Sequence, residues 1–255
     1  MEFWHDAASN TLVYPGVLPP HIAPFLPTAK QFDGFFAVPR SLATCIVLRI
    51  YDYPVIPIMD EESYDWPIER GKTPLWHQKV YANFSAMHPR SFNLGDPGTM
   101  KTLSTLWAMD FTMKHFPPGT CRALIVAPLT VLDTVWGAGI FRNLGNRRTF
   151  RILTGSEERR MKLLEEPADC YIINPDGLKI GGHSKGPKRG QLDGFCAALA
   201  ARDDIKIPII DEASNLKDHT TFRFHYTQKV LGKKPFLWEL TGTPVPNRPT
   251  DAYGL

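Results

Sequence analysis

The sequence predicts an α/β protein in which a mainly parallel sheet flanked by helices is joined to a small β-rich N-terminal domain. From about residue 72 onward, short apolar runs alternate with segments of helical character. We predict strands at residues 91–94, 123–127, 150–153, 170–173, 205–210 and 236–240, and helices at 102–114, 156–165 and 222–231. Apolar strands that alternate with helices are typical of βαβ units, whose parallel sheet is covered on both faces.

The first 70 residues follow a different pattern. Short apolar runs, such as residues 43–50 (ATCIVLRI), alternate there with proline-rich turns. Because proline fixes φ and lacks a backbone donor, this spacing favours short strands and extended connections over long helices. We therefore predict a small β-rich accessory domain at residues 1–70 and the α/β domain at residues 71–255.

The composition argues against several classes of protein. Hydrophobic residues make up 43% of the chain and charged residues 22%, and the formal net charge is +3, too small to establish a polyanionic partner. No apolar run reaches the roughly 18 residues of a membrane helix, so we expect no membrane partner. The four cysteines form no C-x-x-C pair, which argues against zinc and thioredoxin-type sites and favours buried free thiols in a reducing cytoplasm.

The segment at residues 95–102 (GDPGTMKT) gives the strongest single indication of a ligand site. It follows an apolar strand and precedes a helix, where small residues let backbone N–H groups surround phosphates. In the pattern G-x-x-x-x-G-K-[ST], the lysine reaches the β- and γ-phosphates and the hydroxyl ligates Mg²⁺. The phosphate-binding residues are then Gly95, Gly98, Thr99, Met100, Lys101 and Thr102.

Met100 occupies the position of the second glycine in this pattern. Glycine permits close backbone approach and unusual φ values there, so we expect methionine to weaken phosphate binding without abolishing it. For this segment alone, an ordinary turn that happens to contain glycine, lysine and threonine is an equal alternative.

A pair of carboxylates follows another predicted strand. The apolar run at residues 205–210 ends in Asp211, Glu212, Ala213 and Ser214. Because ligands bind at the carboxyl ends of parallel strands, Asp211 is expected beside the phosphate loop. It would hold Mg²⁺, directly or through water, and Glu212 would polarise the attacking water. For the tetrapeptide alone, an acidic helix cap is the alternative.

A third polar segment, residues 240–247 (LTGTPVPN), again follows an apolar strand. Its hydroxyls could link a nucleotide pocket to a bound strand of nucleic acid, although Thr-Gly-Thr-Pro is also a good turn sequence.

Taken in order, these three segments resemble motifs I, II and III of superfamily 2 helicases. The third, followed by residues 251–255 (DAYGL), is most similar to the Swi/Snf-like group, and the combination resembles its phage-type ATPases. Residues 74–78 (PLWHQ) are similar to the adenine motif, residues 125–132 (IVAPLTVL) to motif Ia, and residues 174–178 (NPDGL) to motif Ib. The resemblance covers residues 72–255 and implies a RecA-like P-loop domain, the first of two lobes.

The resemblance also implies roles for individual residues. It gives Gln78 the recognition of adenine, with ATP and Mg²⁺ as cofactors. Thr241 and Thr243 would couple the nucleotide site to the nucleic acid. Contacts with the nucleic-acid backbone, expected to be double-stranded DNA, are implied for Pro128, Leu129, Thr130, Asn174 and Gly177. The compartment implied is the cytoplasm of a bacterium or of an infected host cell.

Two further departures from the family pattern affect the predicted function. Ser214 stands where motif II often ends in His or Gln, and the sequence stops at Leu255, just past motif III. We therefore expect the second RecA-like lobe, with its arginine finger, to be absent from this chain and to be supplied in cis or in trans.

The predicted function is the ATP-binding lobe of a DNA-dependent ATPase or translocase that hydrolyses Mg²⁺–ATP when a second lobe completes it. A catalytically impaired nucleic-acid or protein binding module derived from such a helicase is the alternative, favoured by Met100 and the missing lobe. A small-molecule kinase would also carry a P-loop and a strand-end aspartate, but it does not explain residues 241–247.

Overall fold

The computed structural model describes residues 3–96, 98–99, 101–182, 191–216 and 221–242. The chain divides into two compact units, Met1–Asp65 with Ala86–His88, and Trp66–Ser85 with Pro89–Leu255. Within the described residues, each unit contains one sheet.

The first unit is built on an antiparallel sheet of four short strands in the order β1-β2-β4-β3. The strands are β1 (Trp4–Asp6), β2 (Thr11–Pro15), β3 (Lys30–Phe32) and β4 (Phe35–Pro39). The small N-terminal sheet that the sequence predicted is therefore confirmed.

One expectation for this unit is wrong, because residues 43–50 belong to a helix, α1 (Leu42–Ile50). The hydroxyl of Ser41 accepts a hydrogen bond from the backbone N–H of Thr44 at 3.2 Å and caps the first turn. Leu42, Cys45 and Leu48 are buried at intervals of three residues, so an apolar run that looked continuous buries one helical face.

The sheet of the second unit has six parallel strands in the order β5-β10-β9-β6-β8-β7. The strands are β5 (Arg90–Asn93), β6 (Arg122–Val126), β7 (Phe150–Ile152), β8 (Cys170–Ile173), β9 (Ile205–Asp211) and β10 (Leu237–Leu240). The helices are α2 (Trp76–Met87), α3 (Lys101–Lys114), α4 (Ala138–Leu144), α5 (Glu157–Glu165), α6 (Gly194–Ala200) and α7 (Phe222–Leu231). The predicted α/β architecture is confirmed.

Burial and capping explain why these segments take these forms. Every residue of β8 is buried, as is every residue of β6 after Arg122, which fits central strands covered on both faces. Helix α5 starts after Ser156, whose side chain accepts from the N–H of Arg159 at 3.4 Å. Thr221 caps α7 in the same way, accepting from the N–H of Phe224 at 3.2 Å.

The strand register brings the polar segments to one edge of the sheet. Leu240 at the end of β10 lies opposite Asn93 of β5 on one side and Asp211 of β9 on the other. On the far side of β9, Val126 of β6 lies opposite Ile210 and also opposite Ile173 of β8. The segments that follow β5, β6, β8, β9 and β10 therefore emerge together.

All four cysteines, Cys45, Cys121, Cys170 and Cys196, are free and buried. Burial raises the pKa of Cys45 to about 11 and that of Cys121 to about 12. It also raises the pKa values of Cys170 and Cys196. Among the helices of the described residues, none is both long and apolar enough to cross a membrane.

Candidate functional site

The loop after β5 is compact at the two glycines that the structure describes. A Cβ added at Gly95 would lie 2.8 Å from the hydroxyl of Thr99 and 3.1 Å from Oδ1 of Asn93, so only glycine fits there. Gly98 has φ +86°, a conformation that also favours glycine. Thr99 closes the turn by donating its hydroxyl and its backbone N–H to the carbonyl of Asp96, at 2.8 and 3.2 Å.

Lys101 opens helix α3 and folds its side chain back over this loop. Its Nζ donates to the carbonyl oxygens of Gly95 at 2.6 Å and Asp96 at 3.1 Å. Thr102 follows in the first turn of α3 and is partly exposed. The ammonium of Lys101 and the N-terminus of α3 thus lie together beside the loop. Met100 and Pro97 lie outside the described residues.

Asp211 ends β9 at the same sheet edge, and both of its carboxylate oxygens have fixed donors. The indole Nε1 of Trp136 donates to Oδ2 at 2.8 Å, and the backbone N–H of Glu212 donates to Oδ1 at 3.1 Å. Burial raises the pKa of Asp211, while these two hydrogen bonds and the positive charge of Lys101 oppose that increase. The charge of the phosphate-loop lysine therefore acts on the predicted Mg²⁺ ligand.

Glu212 is exposed and has φ +53°, in the left-handed region. A residue other than glycine pays about 1–2 kcal/mol there. The chain therefore turns at the end of β9 at a cost in backbone strain. Strained backbone is common at active sites. Ser214 follows in a short 3-10 helix, Ala213–Leu216.

Gln78 has a local structural role at the start of α2. Its Oε1 accepts a hydrogen bond from the backbone N–H of Leu75 at 2.9 Å, and its side chain is buried. This is the return half of a capping box, in which the third helical residue binds the residue before the helix. Recognition of adenine by Gln78 remains a prediction.

Asn93 joins the phosphate loop to the third polar segment, a role that the sequence analysis missed. Its Oδ1 accepts from the N–H of Gly95 at 3.1 Å, and its backbone carbonyl accepts from the N–H of Thr241 at 3.1 Å. The Nδ2 of Asn93 is buried without a hydrogen-bond partner among the described residues. Thr241 is itself fully buried, and Thr243 lies outside the described residues. A polar residue at the end of an apolar strand could have indicated Asn93 in advance.

Trp136 is the second residue that the sequence did not reveal. It is completely buried and lies 75 positions before Asp211. It belongs to a six-residue π-helix, Leu132–Gly137, between a short 3-10 helix (Leu129–Val131) and α4. No local sequence pattern relates the two positions, so only the fold brings them together.

The two segments predicted to contact nucleic acid follow neighbouring strands. Pro128, Leu129 and Thr130 come directly after β6, and the side chain of Leu129 is 65% exposed. Asn174 and Gly177 follow β8, which pairs with β6 through Ile173 and Val126.

Gly177 is required by packing as well. A Cβ at this position would lie 2.7 Å from Nη1 of Arg160 and 2.7 Å from Cγ1 of Ile173. Next to it, Asp176 pairs with Lys179 at 2.8 Å and with Arg223 of α7 at 3.0 Å. The pair with Arg223 ties the segment after β8 to α7.

Solved structures of a SWI2/SNF2 ATPase core and of the UvsW helicase share this fold. The SWI2/SNF2 ATPase core of Sulfolobus solfataricus in complex with dsDNA matches with a TM-score of 0.55 and 19% identity, over 74% of this chain and 36% of that chain. T4 UvsW matches with a TM-score of 0.53 and 13% identity, over 76% and 37%. A structure of the UvsW helicase from bacteriophage T4 matches with a TM-score of 0.51 and 15% identity, over 88% and 80%. No family model and no curated protein sequence matches the chain.

At these identities the similarity concerns the fold. The chain has the RecA-like fold of a lobe of Swi/Snf-like and UvsW helicase cores, and the resemblance predicted from the motifs is confirmed at that level. The chain spans 36% and 37% of the length of the first two of these structures.

Proposed function

We propose that the second unit is the ATP-binding lobe of a DNA-dependent ATPase or translocase of the superfamily 2 helicase type. One observation carries the proposal: Lys101 opens the helix after the glycine-containing loop and Asp211 ends β9, so both lie at the carboxyl edge of one parallel sheet, where the charge of Lys101 acts on the half-buried carboxyl of Asp211. The fold similarity to helicase ATPase cores supports it.

The side chains at this edge suit Mg²⁺. Asp211 offers a carboxylate and Thr102 a hydroxyl, and Mg²⁺ prefers such oxygen ligands, often one or two from the protein together with substrate phosphates. When bound with ATP, Mg²⁺ would neutralise charge on the transferred phosphoryl group. In this proposal Lys101 exchanges the carbonyls of Gly95 and Asp96 for the β- and γ-phosphates. Glu212, exposed beside Asp211, orients the attacking water and accepts its proton.

Nucleic acid is proposed to bind along the segments after β6 and β8. Pro128, Leu129 and Thr130 would form one side of this surface and Asn174 the other, while Gly177, which is buried, would contribute only its backbone. Backbone groups in such segments position a phosphate backbone without reading its sequence. The dsDNA of the Sulfolobus complex supports the same class of ligand for this chain, double-stranded DNA.

The first test measures nucleotide binding with a fluorescent ATP analogue in Mg²⁺. Lys101→Ala removes charge-assisted hydrogen bonds worth about 1.5–3 kcal/mol, so we expect roughly 10–100-fold weaker binding. Asp211→Asn should remove most of the difference between Mg²⁺ and EDTA. Lys162→Ala is the matched control, because Lys162 is an exposed lysine on α5.

The control should bind the analogue as the unsubstituted chain does. Unchanged binding by both Lys101→Ala and Asp211→Asn would refute the proposed nucleotide site.

Hydrolysis is proposed to need a second RecA-like lobe, in cis or in trans. An arginine finger contributes ~10³–10⁵ in rate in related phosphoryl-transfer enzymes. The purified 255-residue chain should therefore turn over ATP slowly, with or without duplex DNA. Fast DNA-stimulated phosphate release that Lys101→Ala abolishes would contradict this requirement. Nucleotide binding with no hydrolysis even after a second lobe is supplied would favour the alternative, a catalytically impaired binding module.

A further inference from the structure

Trp136 makes a contact with the proposed metal site that phosphate binding does not require. Its Nε1–H donates to Oδ2 of Asp211 at 2.8 Å, and its side chain is fully buried. An indole is a donor only, so the carboxylate must be the acceptor. The remaining oxygen, Oδ1, accepts from the N–H of Glu212 at 3.1 Å. One side-chain donor and one backbone donor thus fix the rotation of the carboxylate and leave lone pairs on both oxygens.

The backbone around Trp136 is fixed as well. A π-helix is rare and places one more residue in each turn than an α-helix, which changes the direction in which the next side chains point. On one side, a Cβ at Gly137 would lie 3.1 Å from the ring of Phe150, so the backbone packs closely against β7. On the other side, Trp136 itself is enclosed. The indole donor is therefore enclosed by its surroundings as well as bonded to Asp211.

The same π-helix continues the segment proposed to touch nucleic acid. The 3-10 helix Leu129–Val131 runs directly into Leu132–Gly137, and the hydroxyl of Thr134 donates to the carbonyl of Thr130 at 2.9 Å. A single rigid piece of chain thus carries Thr130 at one end and Trp136 near the other.

We propose that Trp136 is a positioning residue, which holds the carboxylate of Asp211 in the orientation that binds Mg²⁺ and joins this carboxylate to the segment Pro128–Thr130. The inference rests on the proposed function, because it takes Asp211 as a ligand of nucleotide-bound Mg²⁺. Trp136 does not touch the metal or the nucleotide. Residues that orient a metal ligand typically contribute about 10–100-fold to metal affinity.

The test compares Trp136→Phe with Trp107→Phe. Trp107 is also fully buried, and its Nε1 donates to the carbonyl of Pro67 at 2.7 Å, so both variants lose a buried indole and one hydrogen bond. The Mg²⁺ concentration that half-saturates binding of the fluorescent ATP analogue should rise about 10-fold or more in Trp136→Phe. It should stay within about twofold in Trp107→Phe. A rise of equal size in both variants would overturn the inference.

A second readout is measured on the unsubstituted chain and needs a variant only to assign one signal. The chain has six tryptophans, so its ¹H–¹⁵N spectrum contains six indole N–H signals. Trp136→Phe identifies the signal of Trp136 by its loss. In the presence of a non-hydrolysable ATP analogue, Mg²⁺ should shift that signal, and duplex DNA should shift it further. An indole signal that does not move while Mg²⁺ and nucleotide bind would refute the proposed contact.

Asp211→Asn separates this inference from the proposed function. If Asp211→Asn raises the Mg²⁺ requirement and Trp136→Phe does not, the proposed function stands and the positioning role is wrong. If Asp211→Asn leaves the requirement unchanged, the role of Asp211 as a Mg²⁺ ligand and the positioning role of Trp136 are both wrong.

Discussion

Glu239 lies inside the parallel sheet, in register with Phe92 of β5 and Ile210 of β9. Burial raises its pKa to about 7, and the positive charge of Arg90 opposes the increase. When a carboxyl group is protonated in the folded state but ionised in the unfolded state, the free energy of unfolding falls as pH rises. A rise in this pKa from 4.5 to about 7 lowers the free energy of unfolding at high pH by at most roughly 3 kcal/mol. Partial exposure of the carboxyl to water reduces this figure.

The free energy of unfolding should therefore decrease between about pH 4.5 and about pH 7. Above that range, ionisation of Glu239 should cause no further decrease. Glu239→Gln keeps the shape of the protonated acid and should match the unsubstituted chain at about pH 4, below the unfolded pKa. At pH 8 the variant should be the more stable of the two. Urea unfolding of both chains at these pH values measures the difference. Identical pH dependence for the two chains would show that Glu239 is ionised in the folded state.

At the level of elements, the sequence predicted the second unit better than the first. Its central strands are buried on both faces, so the apolar runs themselves mark them, as in β8. In the first unit, residues 43–50 are equally apolar but form α1, because Ser41 caps the helix and one face meets the core. A continuous apolar run of eight residues carries no period that separates the two outcomes.

Some residues of the candidate site could be predicted from the sequence and others could not. Lys101 and Asp211 each follow a strand, so a parallel sheet alone brings them to one edge. Trp136 could not be predicted, because its contact with Asp211 depends on the direction that the π-helix gives to one side chain. The capping role of Gln78 depends similarly on the position where α2 begins.

At the scale of the whole molecule, the four buried cysteines are distributed unevenly between the two units. Cys45 lies in the first unit, and Cys121, Cys170 and Cys196 lie in the second. The thiolate is the form of cysteine that reacts with alkylating reagents. Burial suppresses that form at neutral pH, because it raises each of these thiol pKa values. Each thiol should therefore react only when the structure around it opens.

The alkylation rate of each thiol thus reports how often the unit that contains it opens. A ligand at 100 times its dissociation constant stabilises the folded state by about 2.7 kcal/mol, so alkylation that requires the second unit to unfold should slow about 100-fold in saturating Mg²⁺–ATP. Peptide mass spectrometry reads all four thiols in one time course. We expect protection at Cys121, Cys170 and Cys196, an unchanged rate at Cys45, and no protection in Lys101→Ala. Equal protection of Cys45 would mean that the two units open in a single step and that nucleotide bound to one stabilises both.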